Sequence, residues 1–237
     1  MSGFDKISEH VAPSTIELWG ISISESLLYA VMVSAGLILF PAIVRIFVIP
    51  KFTVVPKGFQ IILEFFVNMF ENMAAQTGHL AKFLAPYTFG VATFICFGVI
   101  FELFGVRSPL ADINTTLALS LMTFFLINFF GIKRHGPMGR VKYFFKPVWF
   151  VGPFRIMSDL MVPISMSFRL FGSILSGMLT MEIVYVALSE GTRSLFGFAL
   201  PLVFPALLAP IFNLFHALIQ SYIFAMLTIT FVAEASE

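Results

Sequence analysis

Long apolar runs separated by short polar stretches make up most of the chain. The hydrocarbon core of a bilayer is about 30 Å thick, and a helix needs about 20 apolar residues to cross it. Five runs reach that length: Leu27–Ile49, Phe83–Val106, Leu110–Phe130, Ile156–Leu188 and Leu195–Val232. The pattern therefore predicts an all-α, polytopic membrane protein with about five transmembrane helices.

The last two apolar runs are longer than a perpendicular span requires, and only a short polar turn, Glu190–Arg193, separates them. Excess length leads to tilt, kinking or extension out of the membrane. Proline can kink a helix, and three prolines lie near the start of the last run: Pro201, Pro205 and Pro210. We therefore expect residues 156–237 to form a hairpin of two long, strongly tilted helices.

The stretch Pro56–Gly78 has a different pattern, in which polar side chains interrupt apolar ones at helical spacing. The polar members are Glu64, Asn68, Glu71 and Asn72. We interpret this stretch as an amphipathic helix at the membrane interface, or as the front of a hairpin with the next span. The whole chain, 1–237, then forms a single membrane domain. It comprises a polar N-terminal segment (1–26), three spans with the amphipathic helix and a connector (27–155), and the hairpin.

Composition supports a membrane protein, because 59% of the residues are hydrophobic and only 11% are charged, against about 25% charged in soluble domains. The cations are distributed unevenly between the two sides of five alternating spans. One side holds Arg45, Lys51, Lys57, Lys82 and the six cations of the connector, Lys133–Arg155, whereas the other holds Lys6, Arg107 and Arg193. Since cytoplasmic loops carry the excess of Lys and Arg, we expect the N-terminus outside and the C-terminus in the cytoplasm.

Several kinds of site are not expected. The basic connector would also suit nucleic acid, but its charge is explained by a cytoplasmic loop that contacts anionic lipid. The single cysteine, Cys96, lies in an apolar run, so we expect neither a disulfide within the chain nor a metal site built on cysteine pairs. No phosphate loop, nucleophile motif or metal-ligand spacing occurs. We expect no cofactor and no cleavable signal peptide.

Arg169 is the least expected side chain at membrane depth. A charged residue there costs about 2.5–3.5 kcal/mol on insertion scales, and a guanidinium does not lose its charge. No acid lies three or four residues away, whereas Ser165 and Ser173 share its helical face and Gly172 and Ser176 continue a small, polar strip. This favours a fixed positive charge that faces water or a group outside the chain. The alternative is a structural arginine that reaches the interface or pairs with a buried acid.

Other polar residues within the spans suggest further lining. Glu182 lies 13 residues beyond Arg169, about 20 Å along a helix and about 140° around it. It serves a separate outer pocket or extends to the outer interface. Asn213, His216 and Gln220 share one face of the last run, as a polar lining or a hydrogen-bonded seam between helices. The cluster Asp112–Thr116 marks an aqueous outer mouth or an ordinary helix N-cap.

Three segments together resemble subunit a of F-type ATP synthases, of the bacterial Fo type. They are Ser165–Gly177, which resembles the arginine-bearing helix of that family, Asp112–Leu119, which resembles its aspartate–asparagine–threonine segment, and Ile219–Thr228, which resembles its C-terminal glutamine motif. The resemblance extends from the first span to the end of the chain, in the same order.

The resemblance implies a non-catalytic, ion-translocating stator subunit in the bacterial inner membrane. Its partners would be a c-subunit ring, the b subunits of the peripheral stalk and the remaining ATP synthase subunits. Two offset aqueous half-channels would carry H+ or Na+ to and from the c-ring carboxylates. Arg169 would match the essential arginine and Gln220 the glutamine that faces it. Ser165 and Ser173 would line the cytoplasmic half-channel, with Asp112 and Asn114 at the outer mouth.

Three positions depart from the family pattern. Ser173 stands where asparagine is usual, Met178 where an acid or histidine is frequent, and Asn213 where glutamate or histidine is usual. Three explanations stay open for the outer half-channel: Glu182 and His216 replace the missing groups, water alone fills the channel, or the coupling ion is Na+. Two other functions also stay open, a secondary transporter in which Arg169 binds an anion, and a structural subunit of another respiratory membrane complex.

Overall fold

The computed structural model describes residues 15–18, 21–52, 58–104, 108–144, 152–191 and 199–236. Helices dominate this part of the chain: α1 (Glu25–Ile43), α2 (Phe59–Ala74), α3 (Ala81–Ile100), α4 (Ile113–Phe144), α5 (Gly152–Gly191) and α6 (Ala199–Ser236). Among these described residues, five helices are long and apolar enough to cross a membrane. The expected all-α architecture with five candidate spans is therefore confirmed.

Two short strands precede α1 in the segment that was expected only to be polar. β1 (Thr15–Leu18) and β2 (Ile21–Ser24) pair antiparallel, with Thr15 opposite Ser24. Both strands alternate apolar and polar residues, which is the period of a half-buried strand. Each has only four residues, so the alternation is a weak signal in the sequence.

The amphipathic segment folds as α2 and returns along α3. Gly58, at φ 58°, precedes α2, and a short 3-10 turn with Gly78 at φ 59° leads into α3. These are left-handed conformations that glycine adopts without a steric penalty. Phe70 and Ala74 of α2 are buried in one apolar cluster with Leu84 of α3. The two helices pack on each other, which favours the hairpin interpretation of the amphipathic stretch.

Helix α3 ends at Ile100, earlier than the apolar run suggested, and a 3-10 turn, Phe101–Phe104, continues it. Helix α4 is longer than its expected span. It extends into the basic connector to Phe144, although Gly136, at φ 72° and ψ 164°, breaks the helical path. The apolar part of α4 ends at this break, since Ile113–Gly136 is the candidate span.

The two C-terminal helices are the longest, with 40 residues in α5 and 38 in α6. At 1.5 Å per residue each is about 57–60 Å long. Only residues 192–198 lie between them, and seven residues reach at most about 25 Å. A parallel return is therefore impossible, and because α5 and α6 also pack on each other, they form an antiparallel hairpin. Their length exceeds a bilayer core, as the tilted-hairpin prediction requires.

Helix α6 lies at the centre of the helical packing. It packs against α3, α4 and α5, and its buried residues belong to two apolar clusters. Helix α5 packs on α4 and α6 and leaves its remaining side open. The hairpin therefore presents one face of α5 outward while α6 forms the core behind it.

Candidate functional site

Arg169 lies on the open side of α5. Its side chain is exposed, and it forms no hydrogen bond or ion pair with any residue that the structure describes. Gly172, Ser176 and Thr180 follow it on the same exposed face. A Cβ added at Gly172 would have no atom within 4 Å. Arg169 thus projects from a smooth strip of small residues, away from the rest of the described chain.

The opposite face of α5 fixes this orientation. Met166, Leu170 and Ile174 repeat every four residues and are buried in one apolar cluster with residues of α3 and α6. On the same side, the hydroxyl groups of Ser167 and Thr116 are 3.2 Å apart and link α5 to α4. Because these contacts hold one face of the helix inward, a residue between the buried positions must point outward.

The two serines that flank Arg169 differ in environment. Ser165 is exposed, and the half-buried Ser173 donates a hydrogen bond from its Oγ to the Leu170 carbonyl oxygen at 2.8 Å. Each serine lies four residues from Arg169, about 6 Å along the helix axis. Both therefore lie close enough to Arg169 to line one polar path along α5.

The polar stripe of α6 points inward instead. Asn213 is 9% exposed and Gln220 is 5% exposed, whereas Phe215 between them is 67% exposed. His216 is half-buried on the same inward side. The Nε2 atoms of His216 and Gln220 are buried and have no hydrogen-bond partner among the described residues. Leaving a buried donor or acceptor unpaired costs about 1–3 kcal/mol, so this stripe is a costly arrangement within an otherwise apolar helix.

Gln220 and Arg169 occupy similar heights on the hairpin but different sides of it. Leu170 shares an apolar cluster with Ala217 and Phe224, which places Gln220 within about one turn of Arg169 along the axis. No hydrogen bond joins the two side chains, because Gln220 is buried behind α5 and Arg169 is exposed in front. The structure does not bring this expected pair into contact.

At the start of α4, Asp112 acts as a helix N-cap. Its Oδ1 accepts a hydrogen bond from the Asn114 backbone N–H at 3.0 Å, the arrangement that stabilises a helix N-terminus. The Asn114 side chain is exposed. On α5, Glu182 is half-buried, and Met178 packs against the apolar cluster that contains Leu170 and Ile174. Glu182 therefore lies apart from Arg169, as its spacing along the helix indicated.

One acid was not singled out by the sequence patterns as a site residue. Glu102 lies in the 3-10 turn after α3, just beyond the candidate span Ala81–Ile100. It is partly buried, and this burial raises the pKa of its carboxyl to about 7. The sequence signal was a lone acid at the end of an apolar run. Within the described residues, no three His, Cys, Asp or Glu side chains come together as a metal site.

A family described as ATP synthase A chain matches residues 29–233, which is most of the chain. The chain belongs to this family. The match includes most or all of each of the five candidate spans and every site residue named above. Members of the family provide the ion-channel subunit of the Fo stator, and this chain takes that role. The transporter and the structural-subunit alternatives are not favoured.

Individual relatives cover nearly the whole chain. It is 30% identical over 213 residues to ATP synthase subunit a of Sulfurihydrogenibium sp., covering 87% of this chain and 96% of the relative. It is 28% identical to the subunit a of Moorella thermoacetica, with 87% and 90% covered. It is 29% identical to that of Priestia megaterium, with 95% and 97% covered. The chain is thus a multi-pass membrane protein that associates with other ATP synthase subunits.

Proposed function

We propose that this chain carries H+ or Na+ past a rotating ring of c subunits through two offset aqueous half-channels. Ion flow through them couples to rotation and hence to ATP synthesis or hydrolysis elsewhere in the complex. The hairpin of residues 156–237 faces the ring, and the b subunits of the peripheral stalk hold the chain in place. The chain spans the bacterial inner membrane with its N-terminus outside and its C-terminus in the cytoplasm.

The observation that carries this proposal is the position of Arg169. Its charge is permanent, it lies on an exposed face, and no described residue of its own chain neutralises it. The small residues beside it allow another helix to approach closely. A c-ring carboxylate is the counter-charge that fits this face. At 4 Å and an effective dielectric constant of about 20, the pair attracts by about 4 kcal/mol.

An attraction of about 4 kcal/mol between Arg169 and the carboxylate suits a partner that binds only transiently. The attraction favours the ionised carboxylate beside Arg169 and so promotes release of the ion that the carboxylate carried. It is also small enough for an applied potential to overcome, because one charge moved across 100 mV changes the energy by about 2.3 kcal/mol. Many ions per turn supply the tens of kcal/mol that ATP synthesis requires. Arg169 also repels a cation that would pass directly between the half-channels.

The remaining site residues are assigned by their expected depth in the membrane relative to Arg169. Ser165 and Ser173 line the cytoplasmic half-channel beside Arg169. Asn213, His216 and Glu182 line the outer half-channel, with Asp112 and Asn114 at its mouth. Gln220 lies behind Arg169, where its buried amide provides a neutral polar boundary. The choice between H+ and Na+ depends chiefly on the c ring.

The test is Arg169→Ala in the complete ATP synthase, with Arg134→Ala as the matched control. Arg134 is an exposed cation on α4 that lies outside the proposed site. We expect Arg169→Ala to abolish ATP-driven ion pumping while the c ring still co-purifies with the chain, and Arg134→Ala to pump normally. Normal pumping by Arg169→Ala would contradict the proposal. Loss of assembly would support a structural role instead, and a defect in anion uptake would support a transporter.

A further inference from the structure

Two adjoining cavities lie between α2 and α6, and none of the proposed pathway residues lines them. The first, the polar chamber, has a volume of about 520 Å³ and is lined by three amide side chains, Asn68, Asn72 and Gln76, among apolar ones. The second, the apolar cleft, has a volume of about 300 Å³ and is lined by residues of α1, α2, α3 and α6. Met69 and Tyr222 line both cavities. The two cavities therefore form one site with a polar end and an apolar end.

The polar chamber lies nearer the membrane surface than the apolar cleft does. Gln76 of the chamber belongs to the short turn that precedes α3, and the candidate span of α3 begins at Ala81. Phe89 and Phe97 line the cleft, about 12 and 24 Å along the helix from Ala81. The amides are thus close to the end of α3 that meets the membrane surface, whereas the cleft reaches the membrane interior. A lipid has the same order of polarity with depth.

The apolar cleft has a length that suits an acyl chain. Its lining extends from Phe89 to Phe97 on α3, which is about 12 Å at 1.5 Å per residue. One leaflet contributes about 15 Å of the hydrocarbon core. No charged residue lines the cleft. Because lipid tails are as apolar as the side chains of a membrane helix, an acyl chain enters the cleft without a desolvation cost but gains little selectivity there. The head group must provide the selectivity.

The polar chamber determines which head group is preferred. Each amide offers N–H donors and a carbonyl acceptor, and the exposed side chains of Asn68, Asn72 and Gln76 form no hydrogen bond with a described residue. Glu71 is exposed and lies three residues from Asn68, so the two are neighbours on the helix surface. Neither residues 58–81 nor α6 contains a Lys or Arg. The chamber therefore offers an anionic head group no cation, whereas its carboxylate attracts an ammonium group.

We propose that the polar chamber and the apolar cleft together bind one phosphatidylethanolamine molecule. This head group has no net charge and carries both a phosphate and an ammonium group. The amide N–H groups of Asn68, Asn72 and Gln76 donate to the phosphate oxygens. The ammonium donates to the amide carbonyl oxygens and is attracted by Glu71. One acyl chain fills the apolar cleft, the other remains in the bilayer, and the lipid holds α2 against α6.

The test is photo-crosslinking of lipid to the complete ATP synthase in reconstituted vesicles. The vesicles contain a trace of phosphatidylethanolamine or of phosphatidylglycerol, each with a diazirine on one acyl chain, and mass spectrometry maps the labelled residues. Label on Thr93 and Cys96, which line the cleft, is divided by label on Phe125 and Phe129, exposed apolar residues of α4. We expect this ratio to be at least about threefold higher for phosphatidylethanolamine. A smaller preference would overturn the inference.

Two variants test the head-group contacts. The double variant Asn68→Leu, Asn72→Leu removes two exposed amides and should abolish the preference for phosphatidylethanolamine. Asn128→Leu is the matched control, because Asn128 is an amide of α4 outside both cavities that bonds only to the carbonyl oxygen of Phe124 in its own helix. It should keep the preference. An unchanged preference in the double variant would contradict the assignment.

The reversed charge at Glu71 keeps the proposal testable if the double variant fails to assemble. Glu71→Lys should lower the label from phosphatidylethanolamine and raise that from phosphatidylglycerol, whereas an unchanged ratio would overturn the inference. A cleft that no lipid labels, but from which a partner subunit is cross-linked, would also overturn it and would assign the site to a protein helix. Arg169→Ala should label as wild type, because this lipid site is separate from the proposed ion pathway.

Discussion

Gly172 provides a sharp test of whether the Arg169 face meets another helix. It lies one turn from Arg169 on the exposed side of α5, and a Cβ placed there would contact nothing within 4 Å. Gly172→Leu should therefore leave the fold of the chain intact, since Leu favours a helix over Gly by up to about 1 kcal/mol. Any loss of function must then arise from a partner that needs this space.

The expected loss of pumping follows from the distance between the Arg169 guanidinium and the carboxylate of the partner. Large side chains at a helix contact hold the axes about 8–10 Å apart, depending on their bulk. A partner displaced by about 2 Å moves its carboxylate from about 4 Å to about 6 Å from the guanidinium, and the attraction falls from about 4 to about 2.8 kcal/mol. A loss of about 1.4 kcal/mol is about tenfold in a rate or an occupancy.

The assay is ATP-driven proton or sodium pumping in inverted vesicles, normalised to the amount of c ring that co-purifies with the chain. We expect pumping to fall about tenfold in Gly172→Leu and much less in Gly172→Ala. Gly90→Leu is the matched control, because a Cβ at Gly90 of α3 also meets nothing within 4 Å. It should pump normally. Wild-type pumping by Gly172→Leu, with the ring retained, would refute a close partner at this face.

Three further predictions concern packing and ionisation, and all are read from thermal unfolding in detergent. Gly98→Ala should lower the unfolding temperature more than Gly90→Ala, because its Cβ would lie 3.2 Å from Leu110 Cδ1 and overpacking costs about 1–3 kcal/mol; equal effects would contradict the tight contact. Thr116→Val should cost only about 0.6 kcal/mol, the average for a hydrogen bond between membrane helices, and a much larger loss would mean that Thr116 does more than bond Ser167 and the nearby Ile113 and Asp112 carbonyl oxygens. Because burial raises the pKa of Glu102 to about 7, the folded state binds this proton more tightly than the unfolded state does. The unfolding temperature of the wild type should therefore fall relative to that of Glu102→Gln as pH rises from 4.5 to about 7. A rise over the same pH range would exclude a raised pKa.

The spans were predictable because run length alone decides whether a helix can cross a bilayer. The break in α4 was not, since a single glycine at Gly136 interrupts the helical path. The β1–β2 hairpin was missed because four-residue strands give only a short alternation. For the stretch Pro56–Gly78, the sequence left two interpretations open, and packing of Phe70 and Ala74 with α3 residues favours the hairpin.

The candidate site also has features that the sequence predicts and one feature that it does not. The exposed face of Arg169 follows from helical periodicity, because its small neighbours and the buried Leu170 stripe repeat at fixed spacing on α5. For Asp112, two interpretations were open, and the hydrogen bond from Asn114 supplies the N-cap. The position of Glu102 depends on how a turn after α3 packs on α6, residues more than 100 apart in sequence. No local pattern encodes such a contact, so only the assembled fold brings the turn that carries this acid against α6.

The most direct test of the central claim is a cross-link between the Arg169 face and the rotor. Cysteine at position 172, in a chain with Cys96→Ala, would be oxidised in the complete ATP synthase against a cysteine placed one turn from the c-subunit carboxylate. We expect the Gly172→Cys chain to form a disulfide with the c subunit, and the Gly90→Cys chain to form none. A disulfide from Gly90→Cys alone, or none from Gly172→Cys in an assembled complex, would contradict a rotor-facing Arg169.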